Sequence, residues 1–187
     1  LTAENLAKEF QISRQEQDLY ALDSHTKAIR AIAAGRLAEE IIPVPLPPNM
    51  STLQTMDAGF RADQSLEKLA KLRPYFDRKN GTVTVGNSCP LTDGAAAVMV
   101  MTESKAKSLG LDVMGYLRDY AYAGLEPERM GLGPVYSANI ALKKAGLTMK
   151  DIQLVELNEA FAVQVLANIK AFGSKEFANK FLNQESA

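Results

Sequence analysis

Thiol and imidazole are almost absent from this chain: its 187 residues include one cysteine and one histidine. A single cysteine excludes an internal disulfide, and Cys89 with His25 cannot make up a metal cluster, which fits a reducing compartment. An excess of charge of one sign is missing too. The formal net charge is −1, so no global field draws in nucleic acid or an anionic membrane. No apolar run approaches the roughly 20 residues of a membrane-spanning helix. Repeats and low-complexity tracts are absent, and so is an initiator Met. The chain starts inside a helical pattern at residues 1–7 and stops at 183–187 with no closing strand, which reads as an excerpt of a longer protein. What is present is ordinary for a globular chain, 47% hydrophobic and 23% charged, with enough length for one core or for parts of two domains.

Helix signals dominate the first 80 residues. Ser13-Arg14-Gln15-Glu16 is a capping box, and the helix it opens is expected to run to Ala34 and end at Gly35. Tyr20, Ser24, Ala28 and Ile32 recur near helical spacing, with Leu22, Ile29 and Ala33 widening the stripe. Residues 41–48 hold four prolines, so they read as extended and not as a central strand. Residues 49–59 read as an exposed loop. Leu66, Leu69 and Leu72 mark a short helix ending before Pro74.

From Gly81 the pattern alternates strand with helix. Strands are expected at 82–85, 95–101, 114–123 and 152–157. Helices are expected at 103–109, 135–145 and 160–172, with Gly110, Gly146 and Gly173 as stops, and a weak one at 175–182. An α/β domain places ligands at the carboxyl ends of its strands, where loops and helix N-termini converge. Asn158 sits at such an end, with Glu159 expected in the first turn of the next helix.

Other residues carry weaker signals. Cys89 follows a turn and reads either as a nucleophile, which would need a base and oxyanion donors, or as a small buried residue. His25, inside the long helix, is remote in sequence and does not make a defensible Cys–His pair. Lys68, Lys71, Arg73, Arg78 and Lys79 form either a phosphate-binding surface or a solvated charged face. Phe76 lies among them, and an aromatic beside cations suits a nucleotide ring. Gly131-Leu132-Gly133-Pro134 before a helix is too short a pattern to be specific for an anion.

Several stretches together resemble the thiolases, which exchange acyl groups between coenzyme A thioesters. Thr2-Ala3-Glu4-Asn5-Leu6-Ala7 resembles the segment leading into that family's lid. Ile12-Ser13-Arg14-Gln15-Glu16-Gln17-Asp18, Ser24 and the Ala-Gly-Arg-Leu ending at Leu37 resemble its first lid helix. Leu69-Ala70-Lys71-Leu72-Arg73-Pro74-Tyr75-Phe76 and Gly81-Thr82-Val83-Thr84 resemble the return. Asp93-Gly94-Ala95-Ala96-Ala97, Met130-Gly131-Leu132-Gly133-Pro134 and Asn158-Glu159-Ala160-Phe161-Ala162 follow in the family's order. Residues 171–178 are similar to the branch of β-oxidation complex thiolases, the trifunctional β-subunit type.

The resemblance implies an α/β thiolase-like fold, present in part. Residues 1–80 would be a mostly helical lid, 81–110 the last strands and helix of the N-terminal half, and 111–187 the start of the C-terminal half. It implies that Asn158 orients the water of an oxyanion hole. Met130, Ala160 and Phe161 would line the acyl and pantetheine pocket, with Ser88 and Cys89 packed against pantetheine and Arg61 and Phe76 near the adenosine end. Coenzyme A is then a substrate, with no covalently bound cofactor and no metal. A homo-oligomer is expected, together with a β-oxidation partner subunit as a further candidate partner, no nucleic acid, and a cytoplasmic location (mitochondrial in a eukaryote).

Two family features have no counterpart in these residues: the Cys-x-Ser-Gly of the acylated cysteine, and the Gly-His-Pro histidine with its second cysteine. Covalent acyl transfer needs that nucleophile and base, so this chain alone is expected to be inactive, as a section of a thiolase. Two alternatives stand beside it: a non-enzymatic coenzyme A or lipid-binding remnant, and a partner-docking module.

Overall fold

The computed structural model describes residues 1–183. Its core is a helical packing centred on α6 (Ala162–Phe172). Val163, Ala167 and Ala171 of α6 are completely buried. Against them lie Ala3, Leu6 and Ala7 of α1 (Thr2–Glu9), with Ile12 just beyond it. Leu132 and Val135 add the start of α5 (Gly133–Ala145). Small residues on α6 let these neighbours approach closely. Gly131 shows the tolerance: a Cβ there would stand 2.8 Å from Leu6 Cδ1 and 3.0 Å from Gln164 Cγ.

The long helix α2 (Arg14–Ala33) is opened by Ser13 as its capping box requires. The Ser13 amide donates to Glu16 Oε2 at 2.6 Å, and the Glu16 amide donates back to Ser13 Oγ at 3.2 Å. Arg14 then ties α2 to α3 (Leu66–Ala70), its guanidinium donating to the carbonyls of Leu69 and Leu72 at 2.6 and 3.0 Å. The Leu69 carbonyl already accepts from the Leu72 amide at 3.0 Å, so the guanidinium adds a cationic donor to the end of a short helix. The expected stop at Gly35 stands one residue beyond the Ala34 cap, with φ +71°.

The other helices fall where their caps and glycines place them: α4 (Glu103–Ser108) after Thr102, and α5 up to Gly146 at φ +69°. The weak tail becomes α7 (Lys175–Phe177), which continues as a wider turn over Ala178–Leu182.

The strands differ from expectation. Among the described residues the one ladder is an exposed antiparallel pair, β1 (Val44–Leu46) with β2 (Thr52–Gln54), in the register Pro45 opposite Leu53. It lies partly in the stretch read as a loop. Residues 95–101, 114–123 and 152–157 form no strand among the described residues. A strand forms only when a neighbour accepts its ladder hydrogen bonds, and these segments have none. Their apolar side chains face outward, with Val98 at 88% and Met114 at 105% of full exposure.

Residues 82–85 are a separate case. Val83 and Thr84 are fully buried, yet no strand pairs with them. The Glu4 carboxylate takes the partner's place, accepting from the amides of Thr82 and Val83 at 3.0 and 2.9 Å. No described helix is long and apolar enough to cross a membrane.

Candidate active site

The 158–162 stretch is held on two sides. Backbone bonds fix it to the 87–89 turn. The Cys89 amide donates to the Ala160 carbonyl at 3.0 Å and the Ala162 amide donates to the Asn87 carbonyl at 2.9 Å, so Ser88 faces Phe161 in an isolated antiparallel bridge. The turn is itself anchored to α2, because the Asn87 side-chain amide donates to Asp18 Oδ1 at 3.0 Å. Asp18 is neutralised in turn by Arg14, 2.8 Å away.

The second side is direct. Tyr20 and Ser24, one turn apart on α2, donate their hydroxyls to the two carboxylate oxygens of Glu159, each at 2.5 Å. Burial raises the Tyr20 hydroxyl pKa above its ordinary value, and the accepting, negatively charged Glu159 raises it further. Tyr20 therefore remains a donor through the neutral range. Glu159 does not lie in the first turn of α6. That helix begins at Ala162 with Phe161 as its cap, and the carboxylate is turned to the α2 hydroxyls instead. Asn158, immediately before it, is exposed.

The expected site residues are thus brought together in part. Ser88, Cys89, Asn158, Ala160 and Phe161 share this junction. Phe76 reaches it through an edge-to-face contact with Phe161, centroids 6.1 Å apart. Cys89 is an exposed free thiol, which corrects its reading as a small buried residue: the turn that carries it is fixed by main-chain bonds, and its side chain is not needed for packing. Arg61 adjoins the same helix, its amide donating to His25 Nδ1 at 3.2 Å. His25 follows Ser24 in sequence, and its pKa is lowered by burial and by the Arg61 charge, against a smaller opposing effect of Glu159.

Met130 stands apart. It is 63% exposed on the 3-10 turn Pro127–Leu132, whose Arg129 is bound to Glu9 at 2.7 Å. That turn packs on α1, α5 and α6. No described group of histidine, cysteine and acidic side chains could hold a metal ion. Beside Phe76, Arg73, Pro74, Tyr75 and Arg78 line an open depression of about 620 Å³.

Sequence reasoning missed Tyr20, Ser24, Asp18 and Asn87 as parts of this junction. Tyr20 and Ser24 lie on the stripe read as apolar, and two hydroxyls four residues apart on it were the available signal.

Residues 1–104 match the family model "Thiolase, N-terminal domain" and residues 111–184 match "Thiolase, C-terminal domain". The chain belongs to the thiolase family. It is 50% identical over all 187 residues to 3-ketoacyl-CoA thiolases of Yersinia enterocolitica and Vibrio cholerae, and spans 43% of the length of each. The structure superposes on the crystal structure of the Bacillus anthracis acetyl-CoA acetyltransferase with a TM-score of 0.87 and 42% identity, covering 90% of this chain and 43% of that one. Against human mitochondrial 3-ketoacyl-CoA thiolase in complex with CoA, the TM-score is 0.84 at 42% identity, covering 91% and 42%. The α/β thiolase-like fold is therefore present in part.

Proposed function

We propose that this chain is a section of an acyl-CoA thiolase that transfers acyl groups between acyl-CoA and coenzyme A, by thiolytic cleavage of a 3-ketoacyl-CoA or by the reverse condensation. The observation that carries the reading is the 158–162 stretch, clamped between the 87–89 turn and helix α2, with Asn158 exposed at its start. In such a transfer a thiolate adds to a thioester carbonyl, and the carbonyl oxygen gains a full negative charge. Asn158 Nδ2 can hold a water whose O–H points at that oxygen. A donor fixed in advance is worth more than bulk water, because it need not reorganise as the charge develops.

The remaining assignments follow the same reading. Ala160, Phe161 and Met130 line the acyl and pantetheine channel, with Ser88 and Cys89 along it. Phe76 and Arg61 lie toward the adenosine end, and Arg73 and Arg78 offer guanidinium groups suited to phosphate. Residues 1–80 act as the lid, 81–110 close the N-terminal half and 111–187 open the C-terminal half. The two family matches, separated between residues 104 and 111, support that division. The expected partner is a second copy of the whole protein.

The chain by itself lacks the means to turn over. Its one thiol, Cys89, lies on the 87–89 turn, and His25 Nδ1 is occupied by the Arg61 amide. Neither is paired with the other as nucleophile and base. The test is a coenzyme A-dependent assay with a 3-ketoacyl-CoA, run on this chain and on the full-length polypeptide that contains it. Turnover by the full-length protein alone is expected. Turnover by the isolated chain would refute the assignment of roles, and tight coenzyme A binding by a full-length protein without turnover would favour the non-enzymatic reading.

A further inference from the structure

Asn158 needs a fixed direction to hold a water on a developing oxyanion, yet no hydrogen bond of its own side chain fixes it among the described contacts. Its neighbour does the fixing. The Glu159 carboxylate is bound at both oxygens, by Tyr20 Oη and by Ser24 Oγ, each at 2.5 Å. Two donors on two oxygens set the rotation of the carboxylate as well as its position, which one bond would not do. Three residues further on, the Ala162 amide is bound to Asn87, and Asn87 is bound to Asp18 of the same helix. Helix α2 therefore holds both ends of the 158–162 stretch.

We infer that Tyr20 and Ser24 are positioning residues of the acyl-transfer site, which hold Asn158 in its productive direction through the Glu159 carboxylate. The inference rests on the proposed role of Asn158 in thiolysis. It gives helix α2 a task beyond covering the substrate: the helix sets the angle of the oxyanion donor. The hydroxyls suit that task. Burial and the adjoining Glu159 raise the Tyr20 pKa, so its hydroxyl keeps its proton and stays a donor through the neutral range. A displaced donor is costly, since a misplacement of about 1 Å at a reacting centre can reduce a rate by about a hundredfold.

The test uses the full-length enzyme with Tyr20→Phe, Ser24→Ala, the double variant, Ser24→Thr, Asn158→Ala and, on the same helix, Lys27→Ala. Lys27 pairs with Asp23 on the exposed side, 2.6 Å away. For Tyr20→Phe and Ser24→Ala we expect kcat to fall about tenfold each, with KM for coenzyme A within about twofold and melting temperatures unchanged, a loss of aim well short of the full cost of misplacement. Ser24→Thr should restore most of kcat, and Lys27→Ala should leave it unchanged. In an Asn158→Ala background the Tyr20 and Ser24 substitutions should cost nothing further, because the group they aim is gone.

Wild-type kcat in the double variant, with Asn158→Ala impaired, would overturn the inference and leave the proposed function standing. Losses of kcat that follow losses of melting temperature, and that Ser24→Thr does not repair, would overturn it as well. Wild-type turnover in Asn158→Ala would overturn the proposed function and this inference with it.

Discussion

Glu4 and Glu159 both take hydrogen bonds that a backbone or a ligand could take, and among the described residues neither is in an ion pair. Glu4 is buried and accepts from two main-chain amides and the Thr82 hydroxyl. Glu159 is exposed and accepts from two hydroxyls. These pairings join residues 78 and more positions apart, so no local pattern announces them. Asn158 stood out in the sequence because a polar residue after an apolar run is a local signal. Its clamp was not. His25 offers a direct check of the same region. Its folded-state pKa is lowered, by burial first and by Arg61 second, so the unfolded chain binds the extra proton more readily. Stability is therefore complete above the ordinary value of 6.5 and falls as pH drops below it toward the folded-state value, where the imidazole also loses its bond from the Arg61 amide. As the one histidine, it gives one pair of imidazole C–H resonances by NMR, with an expected midpoint below 6.5. A midpoint above that value would contradict the geometry at Arg61.

The helices were readable because their starts and stops are local chemistry. Ser13 with Glu16, Thr102, and Gly146 each satisfy or redirect groups within four residues of themselves. Ser13→Ala should remove about 1 kcal/mol of stability, seen as a lower denaturant midpoint with an unchanged slope; no change would mean that packing on α3 and α6 alone sets the start of α2. The strands were readable as β-prone segments but not as ladders, because pairing depends on residues outside the segment. Residues 82–85 found a carboxylate in place of a strand, and residues 95–101 found nothing. Glu159 was expected in a helix for a related reason: the 158–162 bonds to the 87–89 turn delay the start of α6 to Ala162.

At the scale of the whole molecule, the core is sound around α6 while an apolar margin is left uncovered. Val98, Val100, Met114, Leu117, Tyr122 and Leu154 are each at least 77% exposed. Surface of that kind is normally covered by further chain or by a partner. The isolated chain should therefore self-associate at micromolar concentration and bind a hydrophobic dye; a monodisperse monomer without dye binding would show that these segments fold back on the core in solution. Family membership was legible across nearly the whole chain, since the motifs occur in the family's order. What these 187 residues can do alone is a separate matter, because the chain spans 43% of its relatives' length.

The central claim is that Asn158 supports the oxyanion of a coenzyme A-dependent acyl transfer. Its most direct test is the steady-state thiolysis of a 3-ketoacyl-CoA by the full-length enzyme and its Asn158→Ala variant, compared at saturating coenzyme A. The account predicts a fall in kcat of about 10²–10³-fold, with KM little changed and the melting temperature retained. A variant that turns over at the rate of the unaltered enzyme would contradict it.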